Sequence, residues 1–350
     1  MGQNGLACSK SLFMQNGGLE MSNIALTKIK GIPVMPQIGL GLPFTQGTVF
    51  HVKPYSGSDS NDGLHPDKAL KTLARAQTLA TANQNDIVLF YAESNTASAT
   101  TDYQSVALNW AKDMVHLIGV GAGPFIGQRS RIAQLSTILT IEDLFTVSAD
   151  CCLISNIEIF HGVASSTATS PRALVVSGER NKIVNCQISG MGDTSMDTAG
   201  ARSLTVSGSE NLFQHCYIGL DTVIRATNVV EVGVTGTAGA LATRNVFEDC
   251  VFNTYTSSTT GKIIAASYVD RFLILKNCML CSVQNVTSAA IPTGAISTAN
   301  MNGKVWMLGG GVFGPADVTT ADDANVLLLA NSGLAANVVD QGVAKATDVA

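Results

Sequence analysis

The chain has 350 residues, of which 46% are hydrophobic and only 13% charged, and its formal net charge is −5 at pH 7. Because no cluster of Lys and Arg is dense enough to neutralise a run of phosphates, the composition argues against a nucleic-acid binder. No stretch approaches the roughly 18 apolar residues of a membrane-spanning helix, so no membrane contact is expected. The 33 glycines and the many Ser, Thr, Asn and Val residues favour short β-strands joined by turns.

The N-terminal segment, residues 1–47, is predicted to be an extension followed by an apolar arm. Its opening residues lack the apolar run of a secretion signal, so the chain is expected to be made in a cytosol. No acidic residue lies between Glu20 and Asp59, and the glycines and prolines of 21–47 forbid a long helix. Such a segment is typical of an arm that another surface covers; a flexible leader is the alternative.

Residues 48–113 are predicted to form a cap region. Apolar residues at helical spacing follow Pro66 and predict a helix over 66–82, and an apolar strand comes next. A helix in this place can cover the open end of a stack of repeats. The turn SGSDSNDG alternates oxygen-bearing side chains, as a calcium loop does. Since the distant bidentate Glu of an EF-hand is absent, structural Asx turns are the preferred interpretation.

Residues 114–305 carry the repeat that decides the fold. Five segments fit one six-position template in which positions four and six are apolar in every copy, while position five varies. This alternation predicts a strand with one face inward. The segments are 154–159, 183–188, 213–218, 247–252 and 275–280. The predicted core ladder contains Ile157, Cys186, Cys216, Cys250 and Cys278 at position four, and Ile159, Ile188, Ile218, Phe252 and Leu280 at position six.

The turn segments SGERN (177–181) and SGSEN (207–211) lie at equivalent places in two copies, with glycine expected at the left-handed corner and with Glu179 and Glu210 as solvated corner residues. Each unit is therefore strand, tight turn, strand and longer loop. The longer loops are expected at 160–172, 189–202, 219–239 and 253–262.

A unit of about 30 residues that cannot bury its own apolar face must stack on copies of itself. Leucine-rich and helical repeats lack their signatures here, and a β-propeller blade needs about 40 residues. The predicted fold class is all-β, a right-handed parallel β-helix with an N-terminal extended arm and a short capping helix. The repeated cysteines are interpreted as small apolar core residues rather than as disulfides or metal ligands.

The C-terminal residues 306–350 are predicted to be a packing segment or a second arm. Over the last 45 residues small apolar side chains predominate, and the acidic residues far outnumber the basic ones.

Three segments resemble the start of a family of phage virion proteins that carry parallel β-helix repeats: MSNIALTKIKGIPV (21–34), GTVFHVKPYSGSDSNDGLHPDKALKTL (47–73) and NDIVLFY (85–91). The resemblance is good over about residues 21–92 and architectural beyond them. It implies a particle component, often a homotrimer, that decorates the head shell or belongs to a fibre or spike. The SGSDxNDG turn also occurs in secreted polysaccharide enzymes, so it is more specific for the fold than for the role.

On this resemblance we expect a non-enzymatic capsid decoration or cement protein that stabilises the head shell. Its expected partners are the major capsid protein and other virion proteins, and its expected location is the virion, assembled in the host cytoplasm. The alternative is a tailspike or fibre module for host glycan binding or depolymerisation. A secreted adhesin is a third hypothesis.

Catalysis on a β-helix requires two neighbouring carboxylates, or a carboxylate-bound calcium with a base. Position five offers a single acid, and the adjacent Glu248 and Asp249 are expected to point to opposite faces of a strand. His161 and His215 lack a Ser or Cys nucleophile with a third partner. The sequence therefore predicts no catalytic residue, no cofactor and no metal. Position five is occupied by Glu158, Gln187, Tyr217, Val251 and Met279.

Overall fold

The computed structural model describes residues 47–94, 96, 100–121, 130–227, 230–284, 292–319 and 324–329, together with short strands at 28–29, 32–33 and 343–345. Most of the predicted arm and about half of the predicted C-terminal segment lie outside these described residues. Within the arm, two short strands pair antiparallel, with Ile29 opposite Ile32.

The described elements are nearly all strands, which agrees with the Ser, Thr, Asn and Val content. In chain order the strands are β1 (Lys28–Ile29), β2 (Ile32–Pro33), β3 (Val49–Val52), β4 (Ile87–Tyr91), β5 (Thr101–Gln104), β6 (Leu108–Trp110), β7 (His116–Val120), β8 (Ser130–Gln134), β9 (Asp143–Val147), β10 (Leu153–Ser155), β11 (Ile157–Phe160), β12 (Arg172–Val176), β13 (Lys182–Val184), β14 (Gln187–Ser189), β15 (Arg202–Val206), β16 (Leu212–Gln214), β17 (Tyr217–Arg225), β18 (Val230–Thr235), β19 (Ala242–Glu248), β20 (Val251–Thr256), β21 (Lys262–Ser267), β22 (Val269–Gln284), β23 (Ile296–Ala299), β24 (Lys304–Phe313), β25 (Val326–Leu329) and β26 (Val343–Lys345). The helical elements are two 3-10 turns, Pro66–Lys68 and Thr194–Met196, and the α-helix α1 (Leu73–Leu79).

Parallel ladders, in which each turn of the chain lies on the turn before it, build the molecule. One sheet carries the template segments, and a second sheet, built from β6, β9, β12, β15, β18, β21 and β23, closes the other side. The fold class is therefore confirmed: the chain is a right-handed parallel β-helix of about seven turns. The first template position runs up one ladder through Ile154, Ile183, Phe213, Phe247 and Leu275. The sixth runs up another through Ile159, Ile188, Ile218, Phe252 and Leu280.

The interior of the solenoid is one continuous apolar cluster that extends from Phe50 in β3 to Leu328 in β25. All ten residues of the predicted core ladder lie in this cluster and are buried. The thiols of the cysteine column donate weak hydrogen bonds to the carbonyl two residues earlier, for example from Cys186 Sγ to Val184 O at 3.3 Å. The cysteines of the described residues are free thiols.

The predicted helix over 66–82 is wrong in its extent. A 3-10 turn at Pro66–Lys68 is followed by an extended break, and α1 begins only at Leu73. The break occurs because Leu70 lies beside β3: its N–H donates to His51 O and its carbonyl accepts from Lys53 N, both at 2.8 Å. The buried Leu70 side chain then enters the core, so tertiary pairing overrides the helical pattern.

The solenoid is longer than the predicted 114–305. Its ladders already include β3 and β4, where Val49 pairs with Ile87 and Ile87 with His116. At the other end they continue through β24 to β25, which pairs parallel at Val305. The boundaries were misplaced because these outer strands do not carry the six-position template.

The longest of the predicted loops, 219–239, is also wrong in its extent. β17 continues to Arg225 and β18 begins at Val230, so most of the predicted loop 219–239 is strand. Val232 and Val234 of β18 lie in the core, and they stack on β15 below. The sequence did not predict this strand of the second sheet, because a glycine separates its two core valines.

Left-handed residues form the corner after the first strand of each template segment. The third template position has φ between 51° and 58° in all five copies, although none of these residues is glycine. Asn and Asp tolerate this region better than other residues with a Cβ atom. At the SGERN and SGSEN corners the left-handed residue is Arg180 and Glu210, not the predicted glycine. The third-position residues are Asn156, Asn185, His215, Asp249 and Asn277.

Three buried asparagines tie successive turns together at the other corner. Asn211 Oδ1 accepts from Asn181 N at 2.9 Å, and Asn211 Nδ2 donates to Gly178 O at 3.1 Å. Asn245 repeats the pattern one turn later by accepting from Asn211 N at 3.0 Å. Each side chain thus satisfies backbone groups of the neighbouring turn that water cannot reach.

The ladder changes direction at its C-terminal end. β25 pairs parallel with β24 on one side and antiparallel with β26 on the other, where Leu328 lies opposite Ala344.

Candidate functional site

The predicted position-five residues do lie on one outward column of the template sheet. Glu158 is next to Gln187 and Gln187 next to Tyr217 in adjacent turns. Glu158 is buried, and its Oε2 lies 3.6 Å from Arg131 Nε of the turn below. The Arg131 guanidinium also lies 4.4 Å from the centre of the Phe160 ring. The one acid of this column is therefore held in an ion pair, beside an aromatic ring.

Glu248 and Asp249 do not form a joint site. Glu248 Oε1 accepts from Lys276 Nζ at 2.5 Å within the sheet. Asp249 is at the left-handed corner, where its Oδ2 lies 3.8 Å from His215 Nδ1. Each acid is thus engaged with its own basic neighbour in an adjacent turn.

His161 is a core histidine. It is fully buried, and its ring Nδ1 lies 3.0 Å from the Arg172 carbonyl, to which it donates in the tautomer that satisfies both groups. Burial lowers the pKa of His161 to about 4, so the ring is neutral at physiological pH. Burial lowers the pKa of His51 and of His116 to about 4 as well.

The corner acids carry ion pairs at the surface. Glu210 Oε2 accepts from Arg180 Nε at 2.8 Å, and its Oε1 accepts from Arg244 Nη1 at 2.8 Å. Glu179 remains a surface side chain within 3.8 Å of Arg180.

A buried ion pair that the sequence did not predict joins β17 to β18. Arg225 Nη2 donates to Glu231 Oε1 at 2.8 Å, and both side chains are almost completely buried. The Ser203 hydroxyl donates to the same carboxylate oxygen, and Arg225 Nη2 also donates to Gly190 O at 3.3 Å. Burial raises the pKa of Glu231, while Arg225 opposes that rise. A charged residue inside a strand pattern gives no sequence signal of burial, which is why this pair was missed.

The SGSDSNDG turn is structural. Asp59 Oδ1 accepts from the backbone N–H groups of Lys71 and Thr72 at 2.9 Å, and its Oδ2 accepts from Thr72 Oγ1 at 2.8 Å. Thr72 in turn caps α1 by accepting from Arg75 N at 3.1 Å. Asp62 accepts from Leu64 N in an Asx turn. In the described part of the chain, no group of three or more His, Cys, Asp or Glu side chains is placed to hold a metal ion.

A pocket of about 430 Å³ opens at the capped end of the solenoid, between the turn that follows β3, the start of α1 and strand β5. Its volume is within the range of small-molecule sites. Tyr55 and Tyr103 are 70% and 43% exposed. We call this pocket the cap pocket; its lining residues are Pro54, Tyr55, Lys71, Thr72, Thr101, Asp102 and Tyr103.

Hydrogen bonds fix the walls of the cap pocket. The Tyr55 and Ser56 N–H groups donate to Glu93 Oε2 at 2.7 and 3.1 Å, which fixes the turn that carries Tyr55. Asp102 Oδ2 accepts from Leu73 N at 2.9 Å, which joins β5 to the first residue of α1. Burial raises the pKa of Asp102 to about 6, since both the N–H of Leu73 and the Gln104 side chain only partly offset the desolvation.

One buried polar group next to the cap pocket has no hydrogen-bond partner among the described residues. Thr101 is 3% exposed, and within the described residues its Oγ1 makes no hydrogen bond. The sequence does not predict the pocket, because Tyr55, Lys71 and Tyr103 come from three segments that only the fold brings together. Among the described residues, no helix is both long and apolar enough to cross a membrane.

No protein-family model matches this chain, and neither does any curated protein. Solved structures match it in fold. A rhamnogalacturonan lyase is 17% identical with a TM-score of 0.47, and the match covers 75% of this chain and 67% of that one. A pectin methylesterase from Erwinia chrysanthemi is 17% identical with a TM-score of 0.45, covering 74% and 77% of the two chains. A pectate lyase is 11% identical with a TM-score of 0.46, covering 83% and 82%.

The prediction that the chain is not an enzyme is wrong on this comparison, because the structures that it matches are enzymes, and we do not retain it. At these identities and TM-scores the likeness is one of fold alone. It assigns no substrate and no reaction to this chain.

Proposed function

We propose that the chain is a structural component of a bacteriophage particle, which binds the head shell as a decoration or cement protein through residues 21–47. The order of elements at the N-terminal end carries the proposal. β3, the SGSDSNDG turn, α1 and β4 follow one another as the resemblance to phage virion proteins implies. The Asp59 carboxylate accepts hydrogen bonds from Lys71 N and Thr72 Oγ1 and so holds the turn against the start of α1.

The solenoid suits a protein that reinforces a shell mechanically. Its core is one cluster with ladders of backbone hydrogen bonds on both sheets, so forces applied at one turn are passed to the next. The segment 21–47, with many apolar residues and no acidic residue between Glu20 and Asp59, has the composition of a segment that binds another protein. The proposed partner is the major capsid protein, and the proposed assembly is a homotrimer.

The test uses particles of the phage that encodes the chain, prepared with the gene deleted. Purified full-length chain should co-sediment with these particles and label the head in immunogold micrographs. A variant that lacks residues 1–47 should stay folded by circular dichroism and remain in the supernatant. Equal sedimentation of the truncated variant would contradict the role of the arm. Absence of the full-length chain from particles would contradict the whole proposal.

A second candidate is a tail fibre or spike module that binds host glycans. The observation that favours it is the cap pocket, with the exposed Tyr55 and Tyr103 at its edge. Immunogold labelling of the tail rather than the head would support this candidate. Incubation of the purified chain with host polysaccharide would then reveal any depolymerisation.

A further inference from the structure

We propose that residues 38–44 of the N-terminal arm lie extended on an apolar cluster at the outer face of the template sheet of the same chain. We call this surface the outer cluster. Its buried members are Ile87, Ile118, Leu153 and Val184, and Val49 and Leu89 pack against them while partly buried. The inference concerns the free chain and does not depend on attachment to a particle.

The outer cluster is on the side of the sheet that faces away from the core. In β4, Val88 and Phe90 lie in the core, and because side chains alternate between the two faces of a strand, Ile87 points outward. The same alternation holds in β10, where Ile154 lies in the core and Leu153 in the outer cluster. The ladders stack these outward side chains over five successive strands, β3, β4, β7, β10 and β13.

The outer cluster is buried, although no described helix or strand packs on it as a second layer. Ile87 is 0% exposed and Leu153 is 7% exposed. Higher in the same outward column, Leu212 and Val246 are only partly buried. Strand neighbours flank the side chains at both levels, so the deeper burial of the lower rows indicates a cover that the upper rows lack.

The arm carries an apolar face of matching length. In the sequence IGLGLPF (38–44), large apolar residues alternate with glycine and proline. A period of two places the four large side chains on one face of an extended segment, and Pro43 favours extended backbone at the residue before it. From Ile38 to Phe44 such a segment spans about 20 Å, at about 3.3 Å per residue. The five stacked strands of the outer cluster span about 19 Å.

The arm joins the solenoid beside the outer cluster. Thr48 N donates to Asp86 Oδ1 at 2.6 Å, and the Oδ2 of the same carboxylate accepts from Thr81 N at 2.7 Å. Asp86 is buried, so this junction is fixed next to Ile87. Val49, the second residue after the arm, packs against the cluster. A segment tethered at this point meets the outer cluster at a high effective concentration, which favours it over a surface on another molecule.

A strap at residues 38–44 would also orient the rest of the arm. Residues 21–33 then leave the solenoid from a fixed place on its side and are available for another surface. That this second surface is a head shell rests on the proposed function, whereas the contact of residues 38–44 with the outer cluster does not.

The accessibility of position 118 tests the inference in the full-length chain. An iodoacetamide pulse on Ile118→Cys, read by peptide mass mapping, should label that position slowly. Adding Leu40→Ser and Phe44→Ser should accelerate the labelling by roughly 10-fold or more, because each change removes an apolar side chain whose burial holds the arm in place. Leu153→Cys reads the same cluster from the next turn and should respond alike. Circular dichroism should be that of the parent in every variant.

Met279→Cys is the matched control. Met279 is 42% exposed at an outward position of the same sheet, nearer the other end of the solenoid. Its labelling should be fast, and equally fast with the parent arm and with the serine-substituted arm.

Three results would overturn the inference. Fast labelling at position 118 with the parent arm would mean that the outer cluster is uncovered. Equally slow labelling with both arms would assign the cover to another segment, such as residues 122–129. Protection that falls when the protein is diluted would mean that the arm comes from a second copy. None of these results bears on co-sedimentation with particles, so the particle proposal stands or fails separately.

Discussion

The stacked thiols illustrate what burial does to single residues. Burial raises the pKa of the Cys216 thiol, and that of Cys152 rises to about 12, because a thiolate would lose its hydration in the core. The four cysteines of the predicted core ladder are buried, whereas Cys151 is exposed.

This difference predicts the pattern of alkylation. In a short iodoacetamide pulse on the native chain, Cys151 should be modified while Cys186, Cys216, Cys250 and Cys278 remain free, as read by peptide mass mapping. The same pulse in urea should modify all of them. Rapid modification of the ladder thiols in the native chain would mean that the core opens far more easily than its burial implies.

His161 predicts a specific loss of stability in acid. Its pKa in the folded chain is about 4, below the ordinary value of 6.5, so the unfolded chain takes up the proton first. Its contribution is complete above pH 6.5 and is lost as the pH falls towards 4. At pH 5 the loss amounts to about 2 kcal/mol for this one residue.

Urea unfolding at pH 7.5 and pH 5 measures that loss. His161→Gln should show a pH dependence that is smaller than that of the parent by about this amount, since Gln does not titrate. His51 and His116 titrate in both proteins and cancel in the comparison. If the free energy of unfolding fell equally in the two proteins on acidification, His161 would not be a neutral buried residue in the folded chain.

At the scale of elements, the pair Arg225–Glu231 fixes the crossing from β17 to β18 against the outer face of the second sheet. Glu231→Ala should lower the free energy of unfolding by about 3–5 kcal/mol, because it leaves the Arg225 charge buried without its partner. The double variant Arg225→Met with Glu231→Leu should recover most of this loss, since no charge is then buried. Urea titrations of the three proteins make the comparison, and a loss below about 1 kcal/mol for Glu231→Ala would show that water reaches the pair.

The asparagine corner makes a second prediction at this scale. Asn211→Ala removes the acceptor for Asn181 N and the donor to Gly178 O. The expected loss of stability is about 2–4 kcal/mol, because two buried backbone groups lose their partners. Asn302→Ala at an exposed corner is the control and should change stability by less than about 0.5 kcal/mol. Similar losses for the two variants would mean that the buried asparagines only fill space.

For the whole molecule, the registers of successive turns predict that one turn can be removed. Leu153 pairs with Lys182, and Ile154 pairs with Leu117 below it. Deletion of 153–181 therefore places β13 on β7 in the register that β10 held. It also brings Asp143 beside Arg202, which replaces its ion pair with Arg172.

The shortened chain should fold with the same β-type circular dichroism and be about 4.8 Å shorter along the solenoid axis, as measured by X-ray scattering. A control that lacks only 153–166 removes half a turn and should aggregate, because its apolar residues would then face solvent. Aggregation of both proteins would show that the turns are not interchangeable.

The parts of this fold that could be predicted from sequence are those that repeat. The core ladder could be predicted because a pair of apolar residues two positions apart, such as Cys250 and Phe252, recurs in every copy. The cap helix was misplaced because Leu70 pairs with β3, a contact that no local pattern records. The cap pocket and the Arg225–Glu231 pair could not be predicted, because they depend on which distant segments the stacking brings together.

The antiparallel β26 has a consequence for how the molecule behaves in a crowded solution. A row of unpaired backbone groups on a parallel stack is a template on which a second chain could continue the same stack, and repetition would give fibres. Strand β26 lies on β25 with its direction reversed. A strand of a second chain that paired with β26 would therefore meet a strand that runs opposite to those of the parallel ladder. The antiparallel strand therefore disfavours continuation of the parallel stack by a second copy of the chain.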